Sequence, residues 1–410
     1  MKKNNNPQDI VIVSAARTPF SKFDSAMADI SSIRLSTIVM KEVLGRTNVK
    51  PEEIDDMEYG SCILPELSLD TDCPARQAGL ILGWPDGLLS NTMDRACCSS
   101  LSALRTGIAF IKSGEAEVIM AVGSDNMPRA PHLAPGLRKG VRLGHIKLID
   151  TVFELGYVQS GANPVALDAG EIAVQNGVTR EMQDEWALIS QERYAQAFAA
   201  GIYKVGQEIV PVVIPQKKGD PIVIDKDESP RKTSMEMLAK LKPIYGSPTC
   251  TAGNAPPLSA GASAILAMTR KKAEEKGLKP IATIVDSVAY AMSPRYISET
   301  PAGAIGKTLK RTGMTIDQMD VLEINEAFAA VCMTSMKLLA DNDPKKWEQI
   351  KAKTNIHGGA IAIGHPVGAS AGRITMHLAY ELQRRGGGYG AAAICGGLAQ
   401  GEAIILKVDE

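Results

Sequence analysis

The stretch MDRACCSSLSALRTG, residues 93–107, passes from a polar loop into a regular helix within a few residues. Cys97 and Cys98 stand at this change and are followed by small Ser and Ala side chains, which predicts a helix over residues 99–113. A thiol at a helix N-terminus lies near unpaired backbone N–H groups and the positive end of the helix dipole. That setting lowers a thiol pKa, so we expect a nucleophilic cysteine here. The local sequence does not distinguish Cys97 from Cys98, nor a reactive thiol from a small buried side chain.

Apolar strands alternate with helices along most of the chain. Residues 34–47, for example, carry apolar side chains at helical spacing. Candidate strands lie at residues 9–20, 57–63, 116–127, 281–291, 391–395 and 401–408. Strand–helix alternation of this kind predicts an α/β fold with a parallel sheet that is covered on both faces.

Residues 127–257 interrupt this alternation. They are rich in Pro, Gly and charged residues, and one strong helix is expected among them, at residues 179–201. Its acidic first turn suits a helix N-terminus. An irregular stretch of this length between two α/β segments is typical of an inserted lid.

Two short segments share a layout. CCSSLSALR (97–105) and HPVGASAGR (365–373) each begin with a reactive side chain, continue with small residues and reach an arginine at the same distance. We interpret this as a faint internal duplication that gives two similar α/β halves. Chance similarity is the alternative.

Composition excludes several classes of protein. A chain of 410 residues favours two or three domains. The net charge of −1 and the absence of a long basic run argue against nucleic acid as a partner. No run of 18 apolar residues predicts a membrane span, and no signal peptide is recognised, so we expect a cytoplasmic protein with no membrane partner. Seven cysteines, an odd number without CxxC pairs, and five histidines favour free thiols and predict no metal site.

His365 has the most unusual surroundings of the five histidines. It lies in NIHGGAIAIGHPVGASAG (355–372), where many glycines permit close backbone approach. Pro366 suits the first turn of a helix. We expect His365 to face outward at a helix start and to act as the base that a thiol nucleophile needs. A hydrogen-bonded structural histidine is the alternative.

Two further segments place polar groups where strands end. In VLEINEAFAAVCM (321–333), Asn325 and Glu326 are expected to open a helix. The Asn325 amide either orients a water or a substrate carbonyl, or simply caps that helix. In AAAICGGLAQGEAIIL (391–406), Cys395 ends a strand before a glycine turn whose backbone N–H groups could bind an oxyanion. A hairpin turn with an incidental cysteine is the alternative.

In order and spacing, these segments resemble the thiolase family over nearly the whole chain. The most specific blocks are NEAFA (325–329), GGAIAIGHPVGAS (358–370) and the Cys-Gly-Gly turn (395–397). The resemblance implies an α/β fold of the duplicated, five-layer α-β-α-β-α thiolase type with an inserted loop domain.

The resemblance also suggests how the chain divides. We place the N-terminal half at residues 8–126 plus 258–276 and the C-terminal half at residues 277–410. The inserted loop domain, residues 127–257, would cover the site and bind CoA.

The family's Asn-Arg-x-Cys-x-Ser-Gly-Leu pattern falls on residues 94–101, so the resemblance makes Cys97 the acyl-accepting nucleophile. His365 then takes the proton from that thiol, and Cys395 is the second, acid/base cysteine. Asn325 would hold a water that stabilises the thioester oxygen together with His365. The backbone N–H groups of Cys97 and Gly397 would form the second oxyanion hole.

The activity implied by this resemblance is CoA-dependent cleavage of a 3-oxoacyl-CoA, or the reverse Claisen condensation, through an acyl-Cys97 intermediate. The implied partners are acyl-CoA and CoA as co-substrate, with no tightly bound cofactor, in a homodimer or tetramer that an accessory subunit could join. The positions that we expect to bind substrate or CoA are Ala252, Ala255, Pro256, Ala327, Phe328 and Arg231. For Arg231, solvated surface charge is the alternative.

The chain departs from the family around the expected substrate pocket. Pro256 stands where Ser is usual, and Leu398 and Ala399 stand where glycines are common. Pro164, Val165 and Ala166 occupy the place of a His-Met-Gly pattern that lines the acyl pocket of short-chain members. We therefore expect a bulky, branched or aromatic acyl group. The alternatives are a short-chain acetoacetyl-CoA thiolase, a related ketosynthase, which the second cysteine argues against, and a non-catalytic acyl-CoA-binding scaffold.

Overall fold

The computed structural model describes residues 6–154 and 161–409. The strands are β1 (Ile10–Arg17), β2 (Asp56–Gly60), β3 (Leu89–Met93), β4 (Val118–Asn126), β5 (His132–Leu133), β6 (Ile149–Asp150), β7 (Val212–Ile214), β8 (Ile222–Ile224), β9 (Ala260–Thr269), β10 (Ala282–Ala291), β11 (Val321–Ile324), β12 (Gly388–Gly396) and β13 (Gln400–Val408). The α-helices are α1 (Ser32–Gly45), α2 (Leu64–Leu67), α3 (Pro74–Ile81), α4 (Ser99–Ser113), α5 (Thr151–Glu154), α6 (Val165–Gln175), α7 (Arg180–Ala199), α8 (Met235–Ala239), α9 (Arg270–Glu275), α10 (Thr300–Thr312), α11 (Ala329–Leu339), α12 (Pro344–Lys353), α13 (Ala360–Ile363) and α14 (Ser370–Arg384). Short 3₁₀ turns connect several of them.

Nine strands form one mixed sheet in the order β11-β12-β13-β10-β1-β9-β4-β2-β3. Five of the eight neighbouring pairs are antiparallel, so the expectation of a parallel sheet is wrong. Parallel pairing is confined to β2 with its two neighbours and to β11 with β12. One reason is the short turn between β12 and β13, because a parallel pair would need a crossover of a dozen or more residues.

The sheet has two halves that meet where β1 and β10 pair. Only three residue pairs join these two strands, from Ile10–Ile284 to Ile12–Ala282. Side chains of β1 alternate between two apolar clusters, since Val11 and Val13 pack with α1 while Ile10 and Ile12 pack with α4 and α14. The strands of this half therefore have a helix layer on each face.

The second half is covered in the same way. Ala391 and Ala393 of β12 pack in the cluster that contains α10 and α11, and Ala392 and Ile394 face the cluster of α4 and α14. The order of layers is α1 with α3, the first half-sheet, α4 with α14, the second half-sheet, and α10 with α11. This is the expected five-layer arrangement.

The two central helices, α4 and α14, are packed between the half-sheets. Every residue of α14 from Ser370 to Leu382 is buried, so His377 lies in the core. Small residues allow this close packing. A side chain at Gly123 of β4, for example, would collide with the carbonyl oxygen of Gly368 just before α14.

The region from 127 to 257 adds helices and two small hairpins at one side of these layers. The predicted helix is confirmed as α7, and the Thr179 hydroxyl caps it by accepting from the Met182 N–H at 3.2 Å. The eleven-residue α6 was not expected from the sequence. The division into domains remains a prediction. In the part of the chain that the structure describes, no helix is long and apolar enough to cross a membrane.

Candidate active site

A tight turn between β3 and α4 presents Cys97. Ala96 adopts a left-handed conformation with φ of 48°, and the Asp94 carboxylate accepts from the Ala96 N–H at 2.7 Å. Cys97 is partly exposed, whereas Cys98 is fully buried and its thiol lies 3.7 Å from the Ile394 carbonyl oxygen. The geometry therefore separates the two neighbours, since only Cys97 keeps some exposed surface and only its sulfur contacts His365.

His365 approaches this thiol from the turn before α14. Its Nε2 lies 3.3 Å from the Cys97 Sγ, although 268 residues separate them in the chain. The His365 N–H donates to the Ser259 hydroxyl at 3.1 Å, which fixes the backbone of the turn. The residue is only 7% exposed, so the expectation that it faces outward is wrong. Cys97 and His365 each stand two residues before a helical turn, at Ser99 and at Val367.

Ser370, which the sequence reasoning missed, assigns the tautomer of His365. The Ser370 hydroxyl donates to the Pro366 carbonyl at 2.7 Å, so its oxygen is left to accept from His365 Nδ1 at 2.6 Å. Because Nδ1 then carries the proton, Nε2 has a free lone pair directed at Cys97. The sequence feature that could have indicated this partner of His365 is a hydroxyl in the first helical turn after the His-Pro pair.

Burial governs the protonation of both groups. It lowers the pKa of His365 to about 3, and the Arg373 charge adds to this effect. It raises the pKa of the Cys97 thiol well above its ordinary value, and the nearby Cys395 and Asp125 act in the same direction. The expectation of a lowered thiol pKa is therefore wrong for the substrate-free protein, where desolvation outweighs the helix N-terminus. A neutral thiol faces a neutral imidazole.

Asn325 has a fully buried amide without a partner. Neither Oδ1 nor Nδ2 makes a hydrogen bond to any residue that the structure describes, although the residue is 0% exposed. Its backbone N–H donates to Ala393 of β12 at 2.9 Å, which places it beside the strand that carries Cys395. Helix α11 begins only at Ala329, so helix capping by Asn325 is wrong. Such an amide is suited to hold a water or a substrate oxygen.

Cys395 lies at the end of β12, before the turn to β13. It is fully buried, and burial raises its pKa to about 12, so the thiol is protonated at neutral pH. The turn that begins at Gly397 contains Leu398 and Ala399 with φ of 59° and 54°, a conformation that favours glycine. The Ala399 carbonyl accepts from the Met292 N–H at 3.0 Å, which helps to hold this turn.

Glu326 holds three segments of the site together. Its buried carboxylate accepts from Trp186 and Ser190 of α7, from Asn355 and from the Ile361 N–H, at 2.8–3.1 Å. From the sequence alone, Glu326 was expected only to lie at a helix start. The sequence feature that could have indicated this role is a charged residue between Asn325 and an apolar segment.

The expected CoA-binding positions lie in two groups. Arg231 donates to the carbonyl oxygens of Ala252 and Gly253 at 3.0 and 3.2 Å, so it supports the loop that carries Ala255 and Pro256. Burial lowers the pKa of Arg231. Ala327 is buried, and Phe328 is the N-cap of α11 and packs on the outer cluster of the second half-sheet. Their roles toward CoA remain predictions.

The absence of a metal site also remains a prediction. Within residues 6–154 and 161–409, no group of three or more His, Cys, Asp and Glu side chains is arranged to hold a metal ion.

Comparisons with known proteins agree with this fold. Residues 10–271 match the thiolase N-terminal domain and residues 278–408 match the thiolase C-terminal domain. The acetyl-CoA acetyltransferase of Syntrophomonas wolfei is 38% identical over 98% of this chain and 99% of its own length. The probable acetyl-CoA acetyltransferase of Mycolicibacterium smegmatis is 40% identical over 97% of this chain and 100% of its own.

Among solved structures, human mitochondrial 3-ketoacyl-CoA thiolase superposes with a TM-score of 0.91 at 34% identity, covering 98% of this chain and 100% of that one. The same enzyme in complex with CoA gives a TM-score of 0.90 at 34% identity, covering 98% and 99%. This chain belongs to the thiolase family. It is an acyltransferase of that family.

Proposed function

We propose that this chain catalyses CoA-dependent cleavage of a 3-oxoacyl-CoA, or the reverse condensation, through an acyl-Cys97 intermediate. The observation that carries the proposal is the 3.3 Å contact between the Cys97 thiol and the unprotonated Nε2 of His365. A neutral thiol and a neutral base at this distance need no ion pair in the resting state. They transfer the proton when the substrate carbonyl is attacked.

The first half-reaction forms the thioester and breaks the C2–C3 bond. His365 Nε2 takes the Cys97 proton while the sulfur bonds to C3, and the carbonyl electron pair moves onto oxygen. When the carbonyl reforms, the C2–C3 pair moves to C2, and the Cys395 thiol donates its proton there. The fragment that contains C1 and C2 leaves as its CoA thioester. The proton on His365 then restores the Cys395 thiol, directly or through water.

The second half-reaction releases the acyl group. His365 accepts the CoA thiol proton, and the CoA sulfur bonds to the acyl carbon. The carbon–Cys97 bond breaks, and the proton on His365 returns to the Cys97 sulfur. The product is the acyl-CoA shortened by two carbons.

Oxyanion stabilisation supports the roles proposed for Asn325 and Gly397. The unpaired, fully buried Asn325 amide can donate to a water beside the enolate oxygen without breaking an existing hydrogen bond. The N–H groups of Cys97 and Gly397 would receive the other oxyanion. One such donor contributes about 3 kcal/mol to the transition state.

The acyl group is proposed to be larger than acetyl. Support comes from the changed residues of the expected acyl pocket, where α6 begins with Val165 and Ala166. A second candidate is acetoacetyl-CoA, which is favoured by relatives named acetyl-CoA acetyltransferase at 35–40% identity.

The test is a CoA-dependent cleavage assay on 3-oxoacyl-CoA thioesters of increasing size. We expect turnover to be lost in Cys97→Ser and Cys395→Ser and retained in Cys73→Ser, which changes an exposed thiol. Alkylation of Cys97 by iodoacetamide should abolish turnover, and acyl-CoA should protect Cys97 but not the exposed Cys73. Cleavage by Cys97→Ser at the wild-type rate would exclude the acyl-Cys97 route. Faster cleavage of acetoacetyl-CoA than of all larger substrates would favour the second candidate.

The homodimer expected from the family resemblance has a candidate contact at β3. Among the described residues, this edge strand pairs on one side only, with β2, and its Leu89 is 65% exposed. The opposite edge strand, β11, is buried and bridged to Thr354. Two copies of β3 could pair across a twofold axis, which would remove the open edge. Leu89→Lys is expected to shift the assembly toward monomer, and light scattering measures this shift. An unchanged assembly would favour a tetramer contact or an accessory subunit over this contact. A cytoplasmic location stays a prediction.

A further inference from the structure

Glu402 is a fully buried carboxylate that the proposed reaction does not use. It stands on β13 opposite Ile394, and the next pair in the same hairpin is Cys395 with Gly401. Burying a carboxylate is costly unless charged or hydrogen-bonding groups surround it. The groups that surround Glu402 come from another part of the site.

Three donors from the segment around Cys97 converge on one oxygen of this carboxylate. Glu402 Oε1 accepts from Arg95 Nη1 at 2.6 Å, from Ser102 Oγ at 2.8 Å and from Arg105 Nη1 at 2.6 Å. Arg95 stands two residues before Cys97, whereas the other two donors lie on α4. Charge-assisted bonds are roughly twice as strong as neutral ones. Glu402 therefore ties both the turn of Cys97 and helix α4 to β13.

The turns that carry the two cysteines also touch each other directly. A side chain at Gly396, the residue after Cys395, would lie 3.0 Å from the Cys98 sulfur and 3.1 Å from the Arg95 carbonyl oxygen. The backbone of the nucleophile turn is thus packed against the strand end that holds the proposed acid thiol. Because packing is non-directional, the Glu402–Arg95 ion pair supplies the directional part of this contact.

We propose that Glu402 is a positioning residue that sets the distance between the Cys97 and Cys395 sulfurs through Arg95. The inference rests on the proposed function. In that reaction one sulfur bonds to C3 while the other donates a proton to C2. Because these carbons are bonded to each other, both sulfurs must be held in place on one substrate. A misplacement of about 1 Å can cost about 100-fold in rate.

The turn around Cys97 has local hydrogen bonds of its own. The Ser99 hydroxyl accepts from the Arg95 N–H at 2.9 Å and donates to the Ala96 carbonyl at 2.7 Å. The Asp94 carboxylate accepts from the Ala96 N–H. These bonds keep the shape of the turn when the Arg95 side chain is changed. Such a change removes the tie between this turn and the hairpin of β12 and β13.

Two reactions of the same protein separate these effects. Exchange of an acyl group between acyl-CoA and isotopically labelled CoA forms and breaks the thioester at Cys97 and needs His365 as base. No proton moves to or from carbon in this exchange. Cleavage of a 3-oxoacyl-CoA needs Cys395 as well. A displaced hairpin should therefore slow cleavage more than exchange.

The first test compares Arg95→Met with Arg105→Met as its matched control. Each variant removes one partly exposed guanidinium at the same distance from the same oxygen. We expect Arg95→Met to lower kcat of cleavage about 10–100-fold and the rate of acyl exchange by less than about 3-fold. Arg105→Met keeps the Arg95 link and should lower cleavage much less. Unchanged cleavage in Arg95→Met, or an equal loss in both reactions or in both variants, overturns the proposal.

A double-mutant cycle tests whether Arg95 acts through Glu402. Glu402→Gln keeps the volume and one acceptor oxygen but removes the charge, and it should reproduce the selective loss of cleavage. The double variant Glu402→Gln/Arg95→Met should lose no more cleavage than the more affected single variant, because both changes remove the same link. Losses that multiply overturn the route through Arg95. If urea unfolding shows that Glu402→Gln does not fold, the comparison of the two arginine variants decides.

A third test does not depend on turnover. Dibromobimane becomes fluorescent when it bridges two neighbouring thiols, and in a Cys62→Ala background it should bridge Cys97 and Cys395, as peptide mass spectrometry would show. Arg95→Met should slow this bridging about 10-fold, and Arg105→Met should slow it much less. Absence of the bridge in the parent, or equal rates in the two variants, overturns the proposal. A clear difference in a protein that cleaves no 3-oxoacyl-CoA leaves the positioning of the two thiols intact and refutes the proposed function.

Discussion

At the scale of single residues, the site depends on a hydrogen bond behind the base. Ser370 holds His365 in the tautomer with a proton on Nδ1, and the lone pair on Nε2 is thereby directed at Cys97. Without this partner, the buried Nδ1–H would be unsatisfied and the ring would lose its fixed orientation.

Replacing Ser370 should therefore slow catalysis without removing any reacting group. We expect Ser370→Ala to lower kcat about 10-fold or more with a smaller change in KM, and Ser370→Thr to restore much of the loss. Steady-state kinetics measure both parameters. Ser113→Ala, an exposed hydroxyl at the end of α4, serves as the control. Equal kcat for Ser370→Ala and wild type would contradict the assigned tautomer.

The protonation states of Cys97 and His365 predict how alkylation depends on pH. A thiol with a raised pKa beside an imidazole whose pKa is about 3 stays neutral through the neutral range. The rate of iodoacetamide labelling at Cys97 should therefore rise continuously from pH 6 to pH 9, because the thiolate fraction rises. A plateau that begins below pH 6 would instead indicate a preformed thiolate–imidazolium pair.

At the scale of elements, two turns with strained backbones carry the reacting groups. Ala96 precedes the nucleophile, and Leu398 with Ala399 follows Gly397, all with positive φ. Non-glycine residues in this conformation cost about 1 kcal/mol or more each, so the surrounding contacts must hold them. The Met292–Ala399 hydrogen bond is one such contact.

Glycine at position 399 should consequently stabilise the protein. We expect Ala399→Gly to raise the free energy of unfolding by about 1 kcal/mol. The matched control, Ala391→Gly in β12, should lower it by a similar amount, because Ala391 is equally buried but has ordinary strand geometry. Urea unfolding measures both. A loss of stability in Ala399→Gly similar to that of the control would show that no strain is stored in the turn.

At the scale of the whole molecule, a buried network joins the region from 127 to 257 to the central layer. Glu208 accepts from Arg17 at 2.5 Å and contacts the Nδ1 of His377 at 2.7 Å, and Arg17 also donates to Asp227. Although burial opposes ionisation of Glu208, the charges of His377 and Arg17 hold its pKa well below the ordinary value. The carboxylate is therefore ionised in the folded state.

This network predicts how stability depends on pH. A carboxylate whose folded pKa is depressed contributes stability above its unfolded pKa and loses it as pH falls toward the folded pKa. At pH 7, Glu208→Gln should lower the free energy of unfolding by about 3 kcal/mol, and the difference from wild type should shrink between pH 5 and pH 3.5. Urea unfolding at three pH values checks this, with the exposed Glu236→Gln as control. A stability difference between Glu208→Gln and wild type that does not change with pH would contradict an ionised Glu208 in the folded state.

The amino-acid sequence alone determined the order of elements and the chemistry available to them. Local periodicity predicted α4, α7 and the strands β12 and β13, because these patterns depend on neighbours in the chain. The motif blocks around Cys97, Asn325, His365 and Cys395 were enough to indicate the thiolase family, which the domain matches confirm.

Only the tertiary structure decided the relations between distant residues. Burial reversed the expected direction of the Cys97 pKa, and a mixed sheet replaced the expected parallel one. Ser370 and Glu326 acquired roles that no local pattern shows. The physical reason is common to all of them. Desolvation, strand direction and hydrogen-bond partners depend on which surfaces meet in the folded chain, and residues far apart in the sequence supply those surfaces.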